Sequence, residues 1–196
     1  MIKRAFDILS SGLGLILLSP LFLILAIWIK LDSKGPVFYK QIRAGRLNKD
    51  FTLLKFRSMR TGSDKKGLIT IGGRDPRVTK SGYYIRKYKL DELPQLINVF
   101  LGDMSLVGPR PEVRHYVEMY NEEQLIVLTI RPGITDMASI RYRNENELLE
   151  SVDNPEQYYR EVIMQDKLRI NMEYVEKASF WFDIKLIIKT LKEIVK

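Results

Sequence analysis

Twenty-two consecutive residues, Ile8 to Ile29, carry no charge. As a helix they would be about 33 Å long, close to the hydrocarbon thickness of a bilayer. One element of this chain is therefore suited to lipid, whatever the rest builds. The run is longer than the apolar part of a secretory leader, and no small-x-small cleavage site precedes Lys30, so it reads as a retained membrane segment. Pro20, after Ser19, interrupts it. Proline cannot donate to the carbonyl of Ile16, and its ring crowds that turn, at roughly 3 kcal/mol in a helix interior. The Ser19 hydroxyl is a candidate partner for the freed carbonyl. Lys3 and Arg4 precede the run, and Lys30 and Lys34 follow it. Such cations favour the cytoplasmic side. Two paths stay open on the residues alone: a kinked span, or a bend at Ser19-Pro20 that returns to the face of entry.

The remaining chain is long enough for one domain with its own core. Of the 196 residues, 45% are hydrophobic and 29% charged, a globular balance. There is no cysteine, which excludes a disulfide framework and a thiolate nucleophile. The single histidine, His115, excludes a multi-histidine metal site. The net charge of +8 is concentrated: residues 40–89 hold 15 Lys/Arg against 3 Asp/Glu. A field of that density attracts phosphate on nucleotide, nucleic acid or lipid.

Along the chain, Val37–Arg43 and Phe51–Phe56 read as two strands of a short hairpin. Residues 61–77 read as a loop in which Gly72-Gly73 could admit a phosphate. Ser81 to Lys89 reads as a short basic helix. Leu93, Leu96, Ile97 and Phe100 follow helical spacing from an N-cap at Asp91 to a stop at Gly102. Gly108-Pro109-Arg110-Pro111 is a rigid turn presenting an arginine, and Pro111 is expected to open a helix through His115 to about Gln124. Arg131-Pro132-Gly133 is another turn. Asn154-Pro155 begins a long amphipathic helix to about Ala178. Phe180-Trp181-Phe182 leads into a final stripe of Ile184, Ile187, Ile188, Leu191, Ile194 and Val195, flanked by Lys185, Lys189, Lys192 and Lys196. Aromatics joined to a basic amphipathic helix suit a membrane interface; packing on the core is the other reading.

Asp91-Glu92 is the first acidic pair after the cationic run, with Arg86, Lys87 and Lys89 upstream and Arg110 downstream. A helix start favours negative charge, carboxylates beside phosphate call for a hard cation such as Mg²⁺, and an aspartate can attack phosphorus. From spacing alone, the simpler reading is that Asp91 caps a helix and Glu92 supports its first turn.

The stretch Lys89-Leu90-Asp91-Glu92-Leu93-Pro94-Gln95-Leu96-Ile97-Asn98-Val99, followed by Gly102-Asp103-Met104-Ser105-Leu106-Val107-Gly108-Pro109-Arg110-Pro111-Glu112, resembles the core of the monotopic phosphoglycosyl transferases, bacterial enzymes that start glycan assembly on a lipid carrier. Lys3-Arg4-x-Phe6-Asp7, Ser19-Pro20, Gly35-Pro36-Val37-Phe38, Gln41-x-Arg43-x-Gly45, Lys55-Phe56-Arg57-Ser58-Met59 and Pro132-Gly133-Ile134-Thr135 match the same family in order.

The resemblance implies transfer of a sugar 1-phosphate from a UDP-sugar to undecaprenyl (polyprenol) phosphate, with Mg²⁺ and release of UMP. Asp91 would be the nucleophile of a covalent aspartyl-phosphosugar intermediate and Glu92 its partner; both would serve the metal. Arg86, Arg110, Arg143, Lys55, Arg57 and Gln95 are the candidate phosphate and substrate contacts. The implied fold is α+β: a small, mostly helical catalytic domain over residues 35–196 with a short β-hairpin and interfacial amphipathic helices. It is preceded by a re-entrant membrane helix over residues 1–34, broken at Ser19-Pro20. The domain would face the cytoplasm on the bacterial inner membrane, with membrane lipids as partners, a homodimer as a further candidate and no nucleic acid. The resemblance also implies a minimal catalytic form, without added N-terminal spans. Thr135-Asp136-Met137-Ala138-Ser139-Ile140-Arg141-Tyr142 stands where family members often read Thr-Gly-Trp-Ala-Gln-Val-Asn-Gly, so the sugar and the glycan pathway are not implied. The competing readings are a non-catalytic basic module that binds anionic lipid or nucleic acid, and a membrane-bound nucleotide-sugar hydrolase.

Overall fold

The computed structural model of the chain describes residues 2–63 and 75–195. The Gly72-Gly73 loop lies outside the described residues. The described residues are mostly helical, with two two-stranded sheets. Helix α1 (Ile2–Asp32) is apolar throughout its middle and continues through Pro20. The Ser19 hydroxyl donates to the Ile16 carbonyl at 2.8 Å, supplying the bond that proline withholds.

Strands β1 (Phe38–Ala44) and β2 (Asp50–Phe56) form the expected antiparallel hairpin, in the register Tyr39 opposite Lys55. Helix α2 (Lys80–Lys87) follows, capped by the Thr79 hydroxyl on the Gly82 amide at 3.0 Å. Lys89 then adopts a left-handed backbone, with φ of 56°. This breaks the run into a 3-10 turn, Leu90–Glu92, before helix α3 (Gln95–Leu101). The helix expected from Asp91 thus begins at Gln95, behind Pro94, and Asp91 caps nothing. Gly102 closes α3 at φ of 105°, where a side chain would be strained.

Strand β3 (Ser105–Val107) pairs in parallel with β4 (Gly133–Thr135), a pairing the sequence did not announce. The helix expected from Pro111 to Gln124 is only the single turn α4 (Arg114–Val117), followed by a 3-10 segment, Gln124–Leu128. Short helices α5 (Met137–Arg141) and α6 (Glu145–Glu150) come next. The long helix after Asn154 is present in three parts: α7 (Pro155–Tyr158), a π segment (Tyr159–Ile163) and α8 (Met164–Lys177). The Asn154 side chain caps it by accepting from the Gln157 amide at 3.2 Å. Helix α9 (Phe180–Val195) closes the chain. It is neither wholly interfacial nor wholly core: Asp183 and Leu186 are buried, while Trp181, Ile188 and Leu191 are exposed.

The main core gathers Val113, Tyr116, Val127, Leu149, Ile163 and Leu168. A second cluster joins Leu25 and Ile29 of α1 to Phe56 and Ile85. Both ends of α1 are tied down. Lys3 donates to the Val107 carbonyl at 2.8 Å and pairs with Asp183, Arg4 donates to the Val99 and Phe100 carbonyls, and Asp7 accepts from the Leu106 amide at 3.0 Å. At the other end, Asp32 accepts from the amide and hydroxyl of Ser81. In between, Gly12 and Gly14 leave room for Phe100 and Leu96 of α3.

Candidate active site

Three elements converge on the acidic pair. Lys55 comes from the penultimate position of β2, Asp91 and Glu92 from the 3-10 turn, and Arg110 from the turn after β3. That last turn is fixed by a close backbone approach. A Cβ on Gly108 would lie 2.4 Å from the Arg131 carbonyl oxygen, and one on Gly133 would lie 2.1 Å from the Gly108 nitrogen. Only glycine fits either position, and the fit permits the Gly108–Thr135 and Gly133–Pro109 backbone bonds that hold Arg110 in place.

The two carboxylates have opposite surroundings. Glu92 is met by a fork: Arg110 Nη2 on Oε1, and Arg110 Nη1 at 3.1 Å from Oε2. Lys55 Nζ adds a bond to Oε1 at 3.1 Å. Burial pushes the Glu92 carboxyl up, but the charges and hydrogen bonds of Arg110 and Lys55 outweigh it and hold the group well below the usual carboxylate range. Asp91 is 7% exposed, and its Oδ1 is buried with no hydrogen-bond partner. Burial, then the charge of Glu92, push its pKa up against the opposing fields of Lys55, Arg86 and Lys89. Burial also pushes the Lys55 ammonium down, with Glu92 opposing.

Gln95, one turn beyond Asp91, is 1% exposed and its Nε2 also lacks a partner. An acceptor on Asp91 and a donor on Gln95, four residues apart, are thus both buried without a protein partner. Arg86, on the half-buried side of α2, acts on Asp91 through its charge.

Two candidates lie apart from this group. Arg57 spends its guanidinium on the end of α1, donating to the carbonyls of Pro36 at 2.6 Å, Ser33 at 2.8 Å and Lys34 at 3.1 Å. It is a tether there, because its donors are already used. Arg143 is exposed and pairs with Glu193 of α9 at 3.4 Å. His115 is exposed against the ring of Tyr116. The spacing rules passed over Asn98, whose side chain donates to the Thr52 carbonyl at 2.8 Å and accepts from the Leu54 amide at 3.0 Å, fastening α3 to the Lys55 strand. A polar residue inside the apolar stripe was the available signal. Also missed was Asp136, buried and acting on Arg110 through its charge. Behind Arg110, a cavity of about 30 Å³ is lined by Glu112, Asp136, Lys167 and Asn171, room for water and not for a sugar.

Among the described residues, no group of three or more His, Asp or Glu side chains could hold a metal. At the pair, Asp91 Oδ1 is without a partner, whereas both oxygens of Glu92 already accept hydrogen bonds from Arg110 or Lys55.

A family model described as "Bacterial sugar transferase" matches residues 1–196. UDP-glucose:undecaprenyl-phosphate glucose-1-phosphate transferase of Escherichia coli (strain K12) is 38% identical over 97% of this chain and 39% of that protein. UDP-N-acetylgalactosamine-undecaprenyl-phosphate N-acetylgalactosaminephosphotransferase of Aeromonas hydrophila is 38% identical over 99% of this chain and 44% of that protein. The Bacillus subtilis (strain 168) protein named uncharacterized sugar transferase EpsL is 36% identical over 99% of this chain and 87% of that protein. The chain thus spans less than half the length of the first two relatives.

Proposed function

The chain belongs to the bacterial sugar transferase family, and on that premise we propose that it moves a sugar 1-phosphate from a UDP-sugar to undecaprenyl phosphate, releasing UMP. One observation carries the reading: the acidic pair is polarised. The charge of Glu92 is spent on Arg110 and Lys55, while Asp91 keeps a buried oxygen free. A carboxylate held by two cations is a poor nucleophile; one with a free lone pair can attack.

In the proposed reaction, an Asp91 oxygen bonds to the phosphorus next to the sugar. The bond from that phosphorus to the bridging oxygen breaks, and the oxygen leaves with its electron pair on UMP. A phosphate oxygen of undecaprenyl phosphate then attacks the same phosphorus and frees Asp91. Arg86, Arg110 and Lys55 supply fixed positive charge where the diphosphate sits, and the Gln95 amide has an N–H to give a phosphoryl oxygen. Bound Mg²⁺ would neutralise part of the diphosphate charge, held by Asp91 and the substrate's own phosphates. Glu92 is assigned to fixing Arg110 and Lys55 instead of holding the metal.

The same reading puts α1, residues 1–34 with its tail, in the membrane from the cytoplasmic side, and residues 35–196 at the cytoplasmic face. It is supported by the apolar, largely exposed surface of α1 and by the cations at both its ends. The test is UMP release from a panel of UDP-sugars, with and without undecaprenyl phosphate and with the divalent cation chelated. Release should need the cation throughout and, beyond one UMP per enzyme, the lipid acceptor, and Asp91→Asn should reduce it to background and abolish labelling of the protein by sugar [³²P]phosphate. Wild-type turnover by Asp91→Asn would refute the nucleophile, and many turnovers of UMP per enzyme without a lipid acceptor would mark a hydrolase.

A further inference from the structure

Asp136 stands at the start of α5, at a position where family members often read glycine. It is 1% exposed. Its Oδ1 accepts from the Ser139 amide at 2.8 Å and its Oδ2 from the Ser139 hydroxyl at 2.6 Å, and among the described residues neither oxygen meets a cation. A helix cap needs only the first of these bonds, and asparagine or serine would make it without burying a charge. The carboxylate is more than the turn requires.

The cavity behind Arg110 supplies a reason for it. Asp136, Glu112, Lys167 and Asn171 line that cavity together with Arg110. Lys167 is spent on Glu145, and Glu112 on Arg43, the Val113 amide and the Tyr159 hydroxyl. Arg110 is therefore the cation left on this wall for Asp136, whose charge acts on it. The fork to Glu92 takes one N–H from each terminal nitrogen of Arg110, and a guanidinium has further N–H groups to give. Across the same space, Asn171 Oδ1 is buried without a partner. A volume of about 30 Å³ suits one ordered water with polar partners on several sides.

We propose that Asp136 is a positioning residue for Arg110, holding its guanidinium from behind through a water that Asn171 also binds. This rests on the reading of Arg110 as a contact of the donor's diphosphate. Glu92 draws the guanidinium toward the acidic pair and Asp136 draws it back. Balanced between two carboxylates, Arg110 can turn to an incoming diphosphate at little cost. With glycine at position 136 it would answer to Glu92 alone.

The full chain in detergent with Mg²⁺ is titrated with UDP by calorimetry, and KM and kcat are measured with the UDP-sugar that releases UMP. Asp136→Asn and Asp136→Ser both keep a capping oxygen and drop the charge. Each should raise the Kd for UDP and the KM severalfold, with a smaller effect on kcat. Asn171→Leu, which puts an apolar side chain against the cavity, should act in the same direction. In an Arg110→Lys background, which lacks the fork, Asp136→Asn should weaken UDP no further. Equal weakening in both backgrounds, or an unchanged Kd in both Asp136 variants, would overturn the positioning role. A wild type that binds UDP with this coupling and releases no UMP would refute the transferase reading and keep the positioning of Arg110. A wild type that binds no UDP would overturn both.

Discussion

Asp91 and Glu92 are neighbours in sequence with opposite electrostatics, and the difference is measurable in stability. Glu92 has a depressed pKa because Arg110 and Lys55 surround it. Its stabilisation is therefore complete above the unfolded carboxylate pKa of about 4.3 and lost as the pH falls through the lower folded value. Glu92→Gln should cost about 1–3 kcal/mol at pH 7, allowing for the part-exposed Arg110, and the deficit should close in acid during urea titrations. Asp91 runs the other way, because burial raises its pKa. Its penalty is absent below about pH 3.9 and grows as the pH rises through the folded value. Asp91→Asn should then unfold at a higher temperature than wild type at pH 7 without divalent cation, by roughly 2–4 °C per kcal/mol recovered, and at the same temperature near pH 3. A lower midpoint at pH 7 would mean that Asp91 has a partner in the folded state. The motif named the pair, but not its surroundings: Lys55 and Arg110 come from other elements, and Arg57 looked as available as Lys55 until its donors were found on the segment after α1.

The hairpin and the helix after Asn154 were readable because alternation and helical spacing persist over enough residues to stand out. The start of α3 was misread because Lys89 turns left-handed and Pro94 defers the first helical bond, neither of which disturbs the apolar spacing of Leu93, Leu96, Ile97 and Phe100. The β3–β4 pair is three residues per strand, joined across the span from Ser105 to Gly133, too short for a period, and its glycines gain meaning only when the two backbones touch. Helix α2 depends on a similar distant contact. Asp32, at the end of α1, accepts from the Ser81 amide at 2.9 Å and its hydroxyl at 2.8 Å, and so caps the helix that carries Arg86. Asp32→Ala should lower stability by about 1 kcal/mol in chemical denaturation and, on the proposed activity, raise the KM for the UDP-sugar severalfold with a smaller effect on kcat, since it loosens the helix that carries Arg86 without touching Asp91. Asp32→Asn, which keeps an acceptor, should recover part of both. An unchanged KM would separate Arg86 from donor binding.

The folded body touches α1 towards both its ends and at Gly12 and Gly14, and this bears on how the protein sits in a membrane. Lys3 reaches Val107 and Asp183 at one end, Phe6 meets the Phe180 ring at 5.5 Å, Leu96 and Phe100 pack near Gly14 and Gly12, and Leu25, Ile29 and Asp32 meet Phe56, Ile85 and Ser81 at the other. A straight helix of 31 residues is about 46 Å long, more than the roughly 30 Å of hydrocarbon. If α1 crossed the bilayer, one of these two sets of contacts would lie on the far side, and the same polar body would have to follow it through lipid. Burying that many uncompensated charges is prohibitive. On the proposed reading that α1 lies in lipid, both its ends would stay on one face, with the exposed Leu13, Ile16, Leu17 and Leu23 turned to the acyl layer and the Ser19–Ile16 bond easing any bend at Pro20. Because the chain has no cysteine, Ile2→Cys and Lys34→Cys can each be labelled alone with a membrane-impermeant maleimide. Both should react in inside-out vesicles and neither in right-side-out vesicles. Reaction of Ile2→Cys from outside, with Lys34→Cys reacting from inside, would establish a span and require the Lys3–Asp183 pair to be broken in the membrane. A Lys3→Met variant that kept wild-type stability would support that opening, whereas a loss of about 2 kcal/mol, after allowing for the partial exposure of Lys3, would show the clasp closed.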